Sequence, residues 1–209
     1  MNNVKVKICG LQRKEDIETV NRYKPDYAGF IINYPKSHRS KTPKEVEILA
    51  KELDPGILKV GVFVDEAVEI PIQMVRAGIL DIVQLHGHED NAYIKALRAG
   101  CSAKIIQAFL IQGPEDIRLA AASEADYVLL DQGRGSGKAF DWSSIPSDFP
   151  KPYFLAGGIN PENMEAAYEA THPYALDISS GVETDGQKDP KKIEAVLALR
   201  NRKEGKGNE

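Results

Sequence analysis

The chain has 209 residues, of which 42% are apolar and 28% charged, a composition typical of one globular domain and unlike that of a disordered protein. Its formal net charge of −4 argues against a nucleic-acid-binding surface. No apolar segment approaches the roughly 18 residues of a membrane-spanning helix, and the N-terminal residues lack the apolar core of a signal peptide.

Short segments rich in Val, Ile, Leu, Phe and Tyr alternate with amphipathic segments along the chain, which predicts parallel strands connected by helices. The predicted strands are 4–9, 26–32, 57–64, 81–85, 104–110, 126–131, 152–158 and 174–179. The helices predicted after them are 14–23, 43–53, 67–77, 89–98, 114–122, a short one at 142–145, one that opens at Pro161 behind an Asn160 cap, and 190–199.

Eight such units in about 200 residues predict a single-domain (β/α)8 TIM barrel. We assign residues 1–200 to the barrel and expect the charged, glycine-containing tail 201–209 to be disordered. In such barrels the residues at the carboxyl ends of the strands form the active site. Here these residues are Cys9, Asn33, Asp65, His86, Asp131, Gly157, Gly158, Ser179 and Ser180.

Two motifs after the last two strands, "LAGGINPEN" and "DISSGVE", predict a phosphate site. Gly157 and Gly158 expose backbone amides, and Ser179, Ser180 and Gly181 can open a short helix whose first amides bind an anion. Either motif alone is explained better by structure, as a tight turn for the two glycines or a plain helix cap for the serines. Because barrels often hold phosphate with these two loops, the pair predicts a phosphorylated small-molecule substrate.

Cys9 and Asp131 end the first and sixth strands, so we expect both to face the barrel mouth from different sides of a ligand. A carboxylic acid donates a proton when burial raises its pKa, and a thiol accepts one when nearby charge favours the thiolate. This pattern predicts an acid–base pair. The alternatives are a small buried hydrophobe for Cys9 and a carboxylate that bonds loop amides for Asp131.

The two cysteines, Cys9 and Cys101, are far apart and form neither a disulfide framework nor a zinc-site spacing. Free thiols and a cytoplasmic location fit this pattern. We expect Cys101, in a connection at the opposite end of the barrel, to be structural. His86 is interpreted either as a pocket residue or as a structural histidine, and the glycine-rich segment 133–138 as a candidate lid.

Seven segments resemble phosphoribosylanthranilate isomerases over about Val4 to Leu199. They are "VKICGL", "GFIINYPKSHRS", "VGVFV", "VQLHG", "LLDQGRGSGKAFDW", "LAGGINPENM" and "DISSGVE". The resemblance implies a cofactor-free barrel, monomeric or homodimeric, that converts N-(5'-phosphoribosyl)anthranilate to 1-(o-carboxyphenylamino)-1-deoxyribulose 5-phosphate in tryptophan biosynthesis. It implies that Asp131 is the general acid, that Cys9 is the general base, and that Arg39 binds the anthranilate carboxylate. Without it, a solvated basic loop is the better interpretation of Arg39.

Three other functions remain open at this point. A metal-dependent hydrolase or epimerase could use His86 and His88 with Asp131 and Asp177, although no third strand-end histidine completes a typical site. The related bifunctional sugar isomerase, which also acts on a histidine-pathway aminoimidazole, has an aspartate where this chain has Cys9. A phosphate-binding barrel without activity would keep both glycine motifs but would not need the acid–base pair.

Overall fold

Eight parallel strands close into a barrel in the computed structural model, which describes residues 4–133 and 142–202. The strands are β1 Lys5–Cys9, β2 Tyr27–Ile32, β3 Leu58–Phe63, β4 Ile82–Leu85, β5 Lys104–Leu110, β6 Tyr127–Asp131, β7 Tyr153–Leu155 and β8 Ala175–Ile178. The first strand closes the barrel by pairing with both β2 and β8, with Cys9 opposite Gly29 and Lys7 opposite Asp177. The predicted (β/α)8 fold is confirmed.

Helices connect the strands on the outside of the barrel. The α-helices of the described residues are α1 Lys14–Tyr23, α2 Pro43–Lys51, α3 Glu69–Arg76, α4 Asn91–Gly100, α5 Pro114–Ala122, α6 Met164–Thr171 and α7 Pro190–Asn201. Short 3₁₀ helices follow β6, at Trp142–Ser144, and β8, at Ser180–Val182. The first turn of α2 illustrates why they form where they do: Thr42 and Glu45 bond each other's backbone amides, and Pro43 takes the first helical position.

Three boundaries differ from the sequence prediction. The helix after β7 begins at Met164 instead of Pro161, because the Asn160 side chain accepts the amides of Glu162 and Asn163 in a separate turn. Helix α7 runs to Asn201, one residue past the predicted end of the barrel. The rest of the predicted disordered tail, 203–209, lies outside the described residues.

Three two-residue strands were not predicted, because segments this short carry no hydrophobic alternation. Ser40–Lys41 pairs in parallel with the end of β2, and Glu183–Thr184 forms a hairpin with Gln187–Lys188. Both lie in long connections at the carboxyl ends of their strands. They position Arg39 and Glu183, which reappear in the candidate site.

The barrel has an apolar interior that is separate from the layer between strands and helices. Its buried members are Tyr27, Val60, Ile82, Ile106, Leu129, Phe154, Ala156 and Ala175. Successive residues of a strand point to opposite faces. Side chains two residues further along each strand therefore also point into the barrel, at its carboxyl end. Polar groups lie there, next to the apolar layer.

Candidate active site

Cys9 and Asp131 both project into the barrel at its carboxyl end. Asp131 lies two residues after Leu129, which belongs to the interior layer. The side chain of Asp131 therefore points inward, as that of Leu129 does. Cys9 lies two residues after Lys7, whose ammonium bonds Asp177 of β8 across the interior. The two residues therefore lie at the same rim of the barrel.

Lys7 and Asp177 form an ion pair below Cys9. The Lys7 Nζ lies 3.0 and 2.9 Å from the two carboxylate oxygens of Asp177, and the lysine side chain is fully buried. Burial lowers the pKa of Lys7, but the charges of Asp177 and of the Cys9 sulfur outweigh burial and raise it. Lys7 is therefore held as a permanent cation beside the sulfur.

The position of Cys9 depends on two glycines that leave room around it. A Cβ at Gly29 would lie 2.8 Å from the Cys9 Sγ and 3.2 Å from the Lys7 Cε. Gly10 has a φ of +81°, which favours glycine, and a Cβ there would overlap the Cδ of Arg39. The glycine that follows Cys9 thus turns the chain and lets Arg39 lie across it.

Arg39 is turned towards the barrel by Glu183. Its Nε donates to Glu183 Oε1 at 2.7 Å, and its Nη2 donates to the other carboxylate oxygen. Lys188 donates to the same carboxylate at 2.6 Å and to the carbonyl of Ser179 at 3.0 Å. The fork expected to meet a substrate carboxylate is therefore already paired with Glu183, and among the described residues the Nη1 atom has no hydrogen-bond partner.

Burial and nearby cations shift the pKa of the Cys9 thiol in opposite directions. Burial raises its pKa, whereas the Lys7 and Lys188 cations lower it, and burial dominates. Without a ligand, the surroundings of this thiol therefore disfavour the thiolate. The cations reduce the effect of burial without removing it.

Asp131 lies beside His86. The His86 Nε2 is 3.6 Å from Asp131 Oδ2, and Gly133 donates its amide to Asp131 Oδ1 at 2.9 Å. The Gln84 amide nitrogen lies 3.1 Å from His86 Nδ1. One ring nitrogen of His86 thus meets the Gln84 side chain, and the other faces the Asp131 carboxylate.

Opposing influences also act on the pKa of Asp131. Burial raises it, but His86 and the Gly133 amide outweigh burial and lower it. The surroundings of the carboxyl therefore favour its ionised form when no ligand is bound.

The loops after β7 and β8 pack directly against each other. A Cβ at Gly181 would overlap the carbonyl oxygen of Ile159, so the two backbones touch. Gly157 and Gly158 have φ angles of +94° and +71°, which aim their amides away from the strand direction. Ser179 precedes the 3₁₀ helix that Ser180 begins. The two predicted motifs are therefore adjacent at the barrel mouth.

The two predicted phosphate motifs also lie next to Asp131. A Cβ at Gly157 would lie 3.1 Å from Asp131 Oδ1, and one at Gly10 would lie 3.4 Å from the Ser179 hydroxyl oxygen. The glycine loops therefore span the rim between Asp131 on one side and the Cys9–Gly10 turn on the other.

On the other half of the rim, the polar side chains form hydrogen bonds with one another. Asp65 accepts both the amide and the ring Nδ1 of His88, the latter at 3.0 Å, and Asn33 donates to Glu66 at 2.8 Å. Because His86 faces Asp131 and His88 faces Asp65, the two histidines do not converge on one point. Residues 4–133 and 142–202 contain no cluster of three metal-ligating side chains.

Two further sequence interpretations have different outcomes. Cys101 donates its thiol to the Leu97 carbonyl at the end of α4, as a structural cysteine does. The predicted lid, residues 133–138, lies outside the described residues except for Gly133. Within the described parts of the chain, no helix is long and apolar enough to cross a bilayer.

Four polar residues of the site escaped the sequence analysis as functional candidates. They are Lys7, Gln84, Glu183 and Lys188. The available signal was their burial: a lysine or glutamine at an inward position of a core strand must have a polar partner. Asp177, considered only as a metal ligand, instead pairs with Lys7.

Comparisons with known proteins agree with this geometry. A model of the family described as N-(5'phosphoribosyl)anthranilate (PRA) isomerase matches residues 6–198. The chain belongs to this isomerase family. An N-(5'-phosphoribosyl)anthranilate isomerase of Clostridium kluyveri is 43% identical to it over 196 residues, covering 93% of this chain and 96% of the relative.

Solved structures of the isomerase family have the same fold. The crystal structure of phosphoribosyl anthranilate isomerase from Thermotoga maritima matches with a TM-score of 0.84 at 36% identity, over 94% of this chain and 98% of that one. A phosphoribosyl anthranilate isomerase in complex with reduced 1-(O-carboxyphenylamino)-1-deoxyribulose 5-phosphate matches with a TM-score of 0.82 at 34% identity, over the same shares. The predicted resemblance to this family is confirmed.

Proposed function

We propose that the chain converts N-(5'-phosphoribosyl)anthranilate to 1-(o-carboxyphenylamino)-1-deoxyribulose 5-phosphate, a step of tryptophan biosynthesis. The observation that carries the proposal is that Cys9 and Asp131 share the inward face of one barrel rim, with the glycine loops after β7 and β8 between them. Membership of the isomerase family supports the same reaction. The substrate would lie across the mouth with its phosphate at the glycine loops.

Asp131 acts first, as the general acid. It donates a proton to the furanose ring oxygen, the C1'–O bond breaks, and the nitrogen lone pair forms the protonated Schiff base. Bound substrate excludes water from a carboxyl side chain that is still 25% exposed, and this raises its pKa towards that of an acid.

Cys9 acts second, as the general base. Its thiolate takes the C2' proton, and the C–H electron pair moves into the cationic Schiff base to give an enolamine. This order is chemically reasonable because the Schiff base formed in the first step is the electron sink that acidifies C2'. The enolamine then tautomerises to the ketone. Because the rearrangement moves only protons and electron pairs, we propose that it needs neither a metal nor a cofactor.

The two ends of the substrate are held by different groups. The amides of Gly157, Gly158, Ser180 and Gly181 bind the phosphate, as backbone amides at a helix start and a glycine turn do elsewhere. The guanidinium of Arg39 binds the anthranilate carboxylate through its free edge while Glu183 fixes the other edge. The reacting sugar then lies between the sulfur and the carboxyl.

The test is a fluorescence assay with freshly made phosphoribosylanthranilate, before and after a chelator. We expect loss of substrate signal that survives chelation. Cys9→Ala and Asp131→Asn should each lower kcat/KM by about 10²- to 10⁴-fold while the fold is retained. The matched control is Cys101→Ser, which removes the other thiol and should leave activity unchanged. Turnover like that of the unmodified chain in either test variant removes that residue from the mechanism.

A further inference from the structure

Five charged side chains form a cluster at the carboxyl end of β1. They are Lys7, Arg39, Asp177, Glu183 and Lys188. Three of them are cations and two are carboxylates, so the cluster carries one uncompensated positive charge. Every carboxylate in it is already shared with a lysine or an arginine. A further anion beside the cluster would make its charge zero.

The Cys9 sulfur is the group that can supply this anion. It is 7% exposed and lies on the same inward face as Lys7, two residues along β1. The missing Cβ of Gly29 lies 2.8 Å from the sulfur and 3.2 Å from the Lys7 Cε, so both atoms border the same small space. The sulfur and the lysine stem therefore approach each other within the barrel.

We propose that Lys7, clamped by Asp177, is a positioning residue for the isomerisation: it is the counter-ion that the Cys9 sulfur meets when it loses its proton. This inference rests on the proposed function, in which Cys9 is the base. When the thiolate takes the C2' proton, an S–H bond forms, a C–H bond breaks, and the ammonium of Lys7 loses its anion but keeps Asp177. No proton moves to or from Lys7.

The geometry excludes Lys7 as the base itself. Its ammonium donates to both oxygens of Asp177, and an ammonium has no lone pair to accept a proton. The other charges that face Cys9 are Asp177 from β8, Arg39 from the loop after β2 and Lys188 from the hairpin after β8. Of these, only Asp177 disfavours the thiolate.

The test measures Cys9 alkylation by iodoacetamide as a function of pH in a Cys101→Ser background. Only the thiolate reacts, so the midpoint of the rate profile reports its formation. Lys7→Met should move the midpoint to higher pH by a unit or more, which slows alkylation at neutral pH by about tenfold or more. Asp177→Asn should move it in the opposite direction, and this variant carries the test if Lys7→Met does not fold.

The matched control is Lys5→Met on the same strand, whose ammonium is 46% exposed and pairs with Asp26 at the other end of the barrel. Its midpoint should equal that of the parent. In isomerase assays, the rise of kcat/KM with pH should follow the alkylation midpoint in each variant, and Lys7→Met should lower kcat more than it changes KM.

The outcomes separate the two proposals. Unchanged midpoints in Lys7→Met and Asp177→Asn overturn the counter-ion role and leave the isomerase activity standing. A chain that never turns over phosphoribosylanthranilate removes the proposed function, while the alkylation midpoints still report whether Lys7 controls the sulfur.

Discussion

Arg39 and Glu183 meet across 144 positions of sequence, and their pairing sets the charge of the substrate pocket. Burial raises the pKa of Glu183, but Arg39 and Lys188 outweigh burial and hold the pKa at about 2. Glu183 therefore stays ionised wherever the protein is folded at moderate pH. A lowered pKa stabilises the folded state above the unfolded pKa of about 4.3, and this stabilisation is lost as the pH falls through 2.

The first residue-scale prediction is that Glu183→Gln loosens Arg39. Both cations would lose their shared carboxylate, so the substrate KM should rise several-fold while kcat changes less. Unfolding by urea between pH 5 and pH 2 should become less dependent on pH than in the parent. Lys41→Met, which breaks only the exposed pair with Glu45, is the control and should preserve both values. An unchanged KM would return Arg39 to a purely structural role.

The sequence predicts the reactive residues better than the residues around them. Cys9 and Asp131 could be found because each ends a recognisable strand, and barrel strands end at the active site. Lys7 and Asp177 pair over 170 positions, a distance over which local patterns carry no information. The pKa of each catalytic candidate depends on such distant partners, and for this reason neither pKa direction could be predicted from the sequence.

At the scale of elements, the loops after β7 and β8 act as one unit because Gly181 lies against Ile159. The strands themselves were predictable from apolar runs, and the closed barrel followed from their number. The hairpin 183–188 was not predictable, since its strands have two residues each. Yet this hairpin supplies Glu183 and Lys188. Part of the candidate site therefore lies in the element that is hardest to predict from the sequence.

The element-scale prediction concerns the contact between these two loops. Gly181→Ala would force its methyl group into the Ile159 carbonyl and separate the loops, so binding of inorganic phosphate and of substrate should weaken by tenfold or more. Isothermal titration with phosphate measures the first effect and KM the second. Gly113→Ala is the control, because a Cβ there meets nothing within 4 Å, and phosphate binding should be unchanged. Equal affinities in both variants would contradict a phosphate site at these loops.

At the scale of the whole molecule, the amino end of the barrel carries a network of ion pairs, whereas the carboxyl end carries the candidate active site. At the amino end, Asp26 accepts the Lys5 ammonium, the Val6 amide and the Arg200 guanidinium, each at 2.9 Å. Burial raises the pKa of Asp26, but these donors outweigh it and lower the pKa. The network ties β1 to α7 at the end of the barrel opposite to Cys9 and Asp131.

The whole-molecule prediction is that Asp26→Asn affects stability and spares activity. Loss of the charged acceptor should lower the free energy of unfolding by about 1–3 kcal/mol, measured by urea denaturation at neutral pH. Because the pKa of Asp26 is lowered, this difference should shrink as acid protonates the parent carboxyl. At temperatures where both proteins are folded, kcat/KM should agree. A large fall in kcat/KM would show that the two ends are coupled.

The ion pair between Lys7 and Asp177 joins the first strand to the last, and this bears on protein synthesis. A growing polypeptide on the ribosome already contains the thiol, but it lacks the carboxylate until translation is nearly finished. A fragment that contains only the first strands is in the same situation. The buried partner of Lys7, beside the candidate base, is therefore in place only after Asp177 has been synthesised and the first and last strands have paired.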